Sequence, residues 1–352
     1  MQRMLVIVAV VLLVMVSSGI GLLAAHWPFW QRAWQWHVSG SGWPARIEGA
    51  VRPLHGGGGS IALEVHPSAE VEAMARAAST QALLVARGDG TVAGWFAAGL
   101  DAHARVDGRG LTAVVLVPLY AQFAQEHPGM LDMPSGAWLA DWSDDRRGAI
   151  TPRQLFWQLS GLPAGHFTPL NPFGARAQLA SGPDFGRVAL RWQPVWPPGS
   201  HFEVSPVNAQ LLALVAARLD GAPFLDVLQK RLWSRIAADD ALAMLDHRGG
   251  AMAVHCCLRA SLGDWLRLGL LLANDGHSGG AALWQPGFLA QLTAVSPVHA
   301  GYGLGFRLQG AGRPLLAAGS AGRLLLIAPH SGAALLWVGE GAAPAGIERL
   351  LP

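Results

Sequence analysis

The chain of 352 residues is 51% apolar and only 14% charged, with a formal net charge of +2. That length suits one large α/β domain with an appendage, and the near-neutral balance, without arginine-aromatic clusters, excludes an electrostatic footprint for nucleic acid. Lys230 is the only lysine, and the only two cysteines, Cys256 and Cys257, are adjacent, which excludes a disulfide framework and a spaced metal motif and predicts two small buried side chains.

Residues 4–25 are all apolar or small except Ser17 and Ser18. As a helix this run spans roughly 33 Å, enough for a bilayer. It exceeds a usual signal-peptide core, and Leu23-Ala24-Ala25 makes a poor cleavage site, so an uncleaved transmembrane anchor is expected over 1–25. Trp27, Trp30, Trp34 and Trp36 follow at once, as aromatics at headgroup level do; their other reading is a buried aromatic cluster. Arg3 before the span and Arg32 after it favour a cytoplasmic N-terminus, so the expected location is the inner membrane, single-pass, with the main domain in the periplasm. Residues 26–75 read as a membrane-proximal segment whose loop, His55-Gly56-Gly57-Gly58-Gly59-Ser60, lacks the Gly-Lys-Ser/Thr of a phosphate cradle.

The main domain is expected over 76–345. It opens on apolar runs at 81–87 and 91–96 around Gly88-Asp89-Gly90, a β-hairpin pattern. Three- and four-residue apolar steps predict helices over 111–125, 206–219, 224–236 and 261–273, the first carrying a proline kink at Pro118. Residues 162–200, rich in Pro and Gly, read as a long loop over one face. Short apolar runs at 303–308, 323–328 and 333–338 predict strands. Strands at both ends with helices between them predict one antiparallel sheet closed from the two termini, flanked by helices and interrupted by a helical subdomain.

Several segments carry a resemblance. Residues 258–276 read LRASLGDWLRLGLLLANDG, and Gly279-Gly280 and Trp284-Gln285-Pro286-Gly287-Phe288 follow. Upstream lie Ile150-Thr151-Pro152-Arg153-Gln154-Leu155 and Leu159-Ser160-Gly161-Leu162, and downstream Tyr302-Gly303-Leu304-Gly305-Phe306. In this order they resemble the serine β-lactamase and penicillin-binding-protein-like hydrolases, in particular the class C-related branch that includes 6-aminohexanoate-dimer hydrolase. The resemblance implies a β-lactamase/transpeptidase-like fold of the α/β (α+β) class, and acyl transfer by a serine, a lysine three residues later and a tyrosine in a Y-x-N motif.

Those motifs are degenerate here. The segment similar to SxxKSxTAL, residues 106–114, sets Val106 at the serine and Arg109 at the lysine. Valine has no nucleophilic atom, and a guanidinium stays protonated and cannot serve as the base. The sole lysine, Lys230, has Val227 three positions before it, so S-x-x-K is absent throughout. In the segment similar to FEYSNANxQLL, Val204 replaces the tyrosine and Pro206 the asparagine. Gly319, Ser320 and Gly322 partly keep the glycine-rich strand edge of the oxyanion side. No G-x-S-x-G elbow, metal spacing or cofactor motif is found, and no cofactor or metal is expected. The expected function is a membrane-anchored, catalytically degenerate relative that binds a small carbonyl ligand or an envelope protein. The alternative is an active hydrolase of small amides or esters using a nonstandard nucleophile, with Ser320 or Ser205 as first suspects.

Overall fold

The computed structural model describes residues 24–37, 51–54, 64–77, 79–168, 171–278, 281–310, 315–320 and 322–352, with Ser17, Gly19 and Gly21 before them. The span 4–25 expected to cross the bilayer falls almost wholly outside the described residues, as do the glycine-rich loop at 55–60 and Gly279-Gly280. Among the described residues no helix is long and apolar enough to cross a membrane.

In chain order the strands are β1 (Val51–Leu54), β2 (Val65–His66), β3 (Thr80–Ala86), β4 (Val92–Phe96), β5 (Arg105–Asp107), β6 (Ala241–Met244), β7 (Leu258–Ser261), β8 (His277–Ser278), β9 (Ala281–Ala282), β10 (Arg307–Gln309), β11 (Leu315–Ala318), β12 (Arg323–Ala328) and β13 (Ala333–Gly339). The helices are α1 (Trp27–His37), α2 (Ala69–Arg76), α3 (Leu116–Glu126), α4 (Pro152–Phe156), α5 (Ala175–Ser181), α6 (Phe185–Arg191), α7 (Pro206–Asp220), α8 (Phe224–Arg231), α9 (Leu262–Ala273) and α10 (Leu289–Thr293).

The apolar runs at the two ends of the domain pair with each other. Leu84 of β3 faces Leu336 of β13 in an antiparallel register, closing a seven-stranded sheet of order β10-β11-β12-β13-β3-β4-β2. Both faces are covered, which is why these strands read as continuous apolar runs rather than alternating ones. Leu83, Val85, Leu335 and Trp337 pack with Val71 and Ala75 of α2 and with Ile347. Leu84, Leu336 and Val338 join the larger core with Trp265 and Leu268 of α9. Helix α9 starts where Ser261 Oγ accepts from the Asp264 N–H at 3.1 Å, and it crosses the sheet closely at Gly269, against Leu325 and Ala334.

The structure departs from the sequence reading at several elements. The sheet is mixed rather than antiparallel, because β2 joins its edge parallel to β4, with Val65 beside Val92. A second, four-stranded sheet, β1-β6-β7-β5, draws β1 from the expected membrane-proximal segment to pair with β6. The expected loop at 162–200 contains α5 and α6; the Asp184 side chain starts α6 by accepting from the Arg187 N–H at 2.8 Å. The expected helix 111–125 divides into a 3-10 turn, Arg109–Val115, and α3, where Pro118 lies in the first turn and its missing N–H is harmless. The expected helix 224–236 ends at Arg231. Of the run at 303–308 only the end is strand, since Gly305 at φ 83° turns the chain beforehand. The sulfurs of Cys256 and Cys257 are bonded to each other rather than standing as two free side chains.

Helix α1 docks by one face. Phe29 and Ala33 bury against Ala177 of α5. Arg32 donates to the carbonyls of Gly182 at 2.9 Å, Leu245 at 3.2 Å and Asp246, with its guanidinium over the Phe185 ring. Trp30 is partly buried, whereas Trp27 and Trp34, seven residues apart and hence on one helical face, are 62% and 61% exposed. The tryptophans thus divide between the two readings offered by the sequence; the Trp36 side chain lies outside the described residues.

Candidate functional site

A cavity of about 640 Å³ lies between the β11 edge and the helical subdomain. Its floor comes from the chain leaving β5. In a strand, successive side chains point to opposite faces, so Asp107 turns to the cavity while Val106, opposite Ala260 of β7, turns from it. Beyond Asp107 the 3-10 turn adds Arg109, Gly110, Ala113 and Val114, and α3 adds Val117. Across the opening, the last residue of β11 is followed by Gly319 and Ser320. Gly319 holds φ 113°, a conformation suited only to glycine, and a Cβ at Gly110 would strike Ser320 Oγ.

The helical side is organised around Gln158, itself held at φ 59°. Its Oε1 accepts from the Ser205 N–H at 3.0 Å and from Asn208 Nδ2 at 2.7 Å, fixing the start of α7. The Ser160 hydroxyl bonds Asn208 Oδ1 at 2.7 Å. Ser205 Oγ donates to the Pro163 carbonyl at 3.0 Å and is enclosed, so its proton is committed to structure. Val204 stands 59% exposed at the mouth, and Pro206 opens α7 at a position where a missing N–H costs nothing. Tyr302 also lines the cavity; burial raises its phenol to about 12, against a lowering hydrogen bond from Gln158. A group so hard to ionise does not supply a ready base at neutral pH.

Of the seven positions singled out from sequence, Arg109, Val204, Pro206, Gly319 and Ser320 line the cavity. Two do not. Val106 faces away for the reason above, and Gly322 sits in the turn before β12, where a Cβ would meet the Gly339 carbonyl. Sequence reasoning passed over Asp107, Arg176, His255 and Arg307, which also line it. The period-two alternation from Val106 to Asp107 was the one signal available for the first of these; the others arrive from elements with no motif.

The electrostatics are unbalanced toward cation. Arg109, Arg176 and Arg307 face one acid, Asp107. Burial raises the Asp107 carboxyl, against lowering by the Arg109 N–H, which donates to Oδ1 at 3.0 Å, and by the charges of Arg109, Arg323 and Arg259. His255 is pushed down to about 3 by burial and, secondarily, by the charge of Arg176, so its ring is neutral at physiological pH. Lys230 is exposed on α8 and does not line the cavity. No group of three or more metal-ligating side chains occurs among the described residues.

A sequence profile of the β-lactamase family matches residues 69–344, most of the chain. The chain belongs to the β-lactamase family. Among solved structures, this family member is similar to a Bacillus anthracis protein described as a 6-aminohexanoate-dimer hydrolase, at 17% identity and TM-score 0.71, covering 85% of this chain and 87% of that one. It is similar to a penicillin-binding protein from Bacillus halodurans at 13% identity and TM-score 0.61, covering 79% and 98%. A D-stereospecific amidohydrolase from Streptomyces sp. gives 16% identity and TM-score 0.56, covering 80% and 95%. At such identities these likenesses establish the β-lactamase/transpeptidase-like fold. No curated protein sequence matches the chain.

Proposed function

We propose that this β-lactamase-family protein is a non-hydrolytic binder of small carbonyl or carboxylate ligands, held at the inner membrane by residues 1–25 with its domain in the periplasm. One observation carries the reading. At the two cavity-wall positions three residues apart on the nucleophile segment stand Asp107 and Gly110, with Arg109 between them and no lysine on the wall. Serine acylation needs a hydroxyl beside a group able to take its proton, and a permanent guanidinium does not do so. What the wall retains is suited to holding an anion: guanidinium groups above an apolar floor. The membrane placement draws support from the apolar run 4–25 and from Trp27 and Trp34, exposed on the free face of α1.

The full chain, purified in detergent, is challenged with nitrocefin, p-nitrophenyl esters and a fluorophosphonate probe. The expected result is no turnover and no covalent adduct by intact mass. The family's hydrolase chemistry remains the second reading, favoured by Ser320, whose hydroxyl stands at the cavity edge beside Gly110. Stoichiometric labelling of one serine, abolished by Ser320→Ala, establishes that reading and overturns the first. Flotation of the full chain with anionic vesicles, lost on deleting residues 1–25, tests the membrane placement.

A further inference from the structure

The turn before β7 places His255 on the cavity wall with a hydrogen-bonding pattern that can be resolved atom by atom. Gln210 Nε2 donates to the Met252 carbonyl at 2.9 Å, and Gln210 Oε1 accepts from the Val254 N–H at 3.2 Å. A carbonyl needs a donor and an N–H needs an acceptor, so these two backbone groups fix which end of the amide is oxygen. His255 Nδ1 lies 3.3 Å from that same oxygen and must therefore carry the proton. In a neutral imidazole this leaves Nε2 as a bare lone pair. Phe185 stacks edge-on against the ring and holds its orientation. Nε2 is enclosed and has no hydrogen-bond partner.

Buried acceptors of this kind are seldom left without a donor in native proteins. A second unsatisfied group stands nearby. Arg176 of α5 lines the same cavity and is close enough for its charge to act on His255. Its Nη1 donates to the Ala164 carbonyl at 2.8 Å, and no carboxylate among the described residues pairs with it. A half-buried, unpaired guanidinium beside an orphan acceptor sets two requirements on one ligand: a negative charge for Arg176 and an N–H or O–H for His255. Val114, Val117, Phe156 and Leu212 supply apolar wall for the remainder.

Building on the binding role just described, we infer that the cavity takes amphipathic carboxylates bearing a neighbouring N–H or O–H, acylamino or hydroxy acids, with His255 Nε2 accepting that proton and Arg176 holding the carboxylate. His255 is then a specificity-determining residue and takes no part in bond making.

Calorimetric titration of the full chain uses three probes: N-acetylleucine, N-acetyl-N-methylleucine, which lacks the N–H, and N-acetylleucinamide, which lacks the carboxylate. The N–H is expected to confer about a tenfold preference in the wild type, the factor that one enclosed hydrogen bond commands. That preference falls to about one in His255→Phe, and the preference for carboxylate over amide falls in Arg176→Met. Equal N–H preference in wild type and His255→Phe overturns the inference and leaves the cavity a binding site of other selectivity. Saturable binding of none of the three at millimolar concentration overturns the ligand class, and the acylation assays above then judge the binding role separately. Nitrogen NMR of the unmutated protein gives a reading independent of folding of the variants: an Nε2 found protonated at neutral pH refutes the inference.

Discussion

The neutral His255 ring makes a quantitative demand on stability. Burial lowers its imidazole from the ordinary 6.5 to about 3. Above pH 6.5 the ring is neutral whether the chain is folded or not, and it contributes nothing to the pH dependence. Below that, the unfolded chain takes a proton that the folded one refuses, so stability falls as the pH drops and the full deficit is reached near pH 3. The gap corresponds to a ceiling of about 5 kcal/mol, of which about 2 kcal/mol has accrued by pH 5. Burial pushes Asp107, Asp246 and Asp264 the other way, since their raised carboxyls favour the folded state as acid is added. Subtraction removes them: urea unfolding of wild type and His255→Phe is followed from pH 7.5 to pH 4.5, and the difference at each pH isolates the one imidazole. The variant is expected to gain on the wild type by about 2 kcal/mol between pH 7.5 and pH 5. Parallel curves would refute both the depressed imidazole and the enclosed lone pair argued from it.

Other perturbations test the scaffold. Gly319→Ala puts a Cβ against the Arg323 carbonyl at φ 113° and is expected to cost about 3 kcal/mol, read as a lowered urea midpoint. Arg32→Ala removes the donor to three carbonyls and is expected to weaken the docking of α1 by roughly 3 kcal/mol, seen as faster amide exchange in α1 and α5 with α9 unaffected. Asp264→Ala strands Arg267, whose Nη1 lies 2.7 Å from the fully buried carboxylate; about 3–5 kcal/mol is expected from chemical denaturation. Ser261→Ala removes the α9 cap at a cost of about 1 kcal/mol, and a neutral result would remove that hydroxyl from the account of why the helix starts there.

The elements legible in the sequence are those whose period runs long enough to stand alone. The hairpin of β3 and β4, the strands β12 and β13, and α9 with its Ser261 start all follow from apolar repeats and turn residues. The second sheet was missed because its strands run to four residues at most and β1 finds its partner far along the chain; so short a run carries no period. At the site, motif matching located Arg109, Val204, Pro206, Gly319 and Ser320 on the wall. It failed at Val106 because a motif gives spacing along the chain, whereas the strand geometry of β5 hands the inward position to the next residue, Asp107. His255 and Arg176 lie far apart in sequence and meet only through the packing of α5 and the turn before β7. The orphan lone pair depends on the orientation of a third side chain, Gln210, which no linear pattern encodes.

The solitary ε-amine, at exposed Lys230 on α8 and clear of the cavity wall, gives this β-lactamase-family chain an experimental convenience. Amine-selective chemistry has one side chain to choose besides the N-terminal amino group, because guanidinium does not compete. A fluorophore or surface tether attached there reports on ligand uptake without obstructing it, and digestion by a lysine-specific protease divides the polypeptide at that one bond.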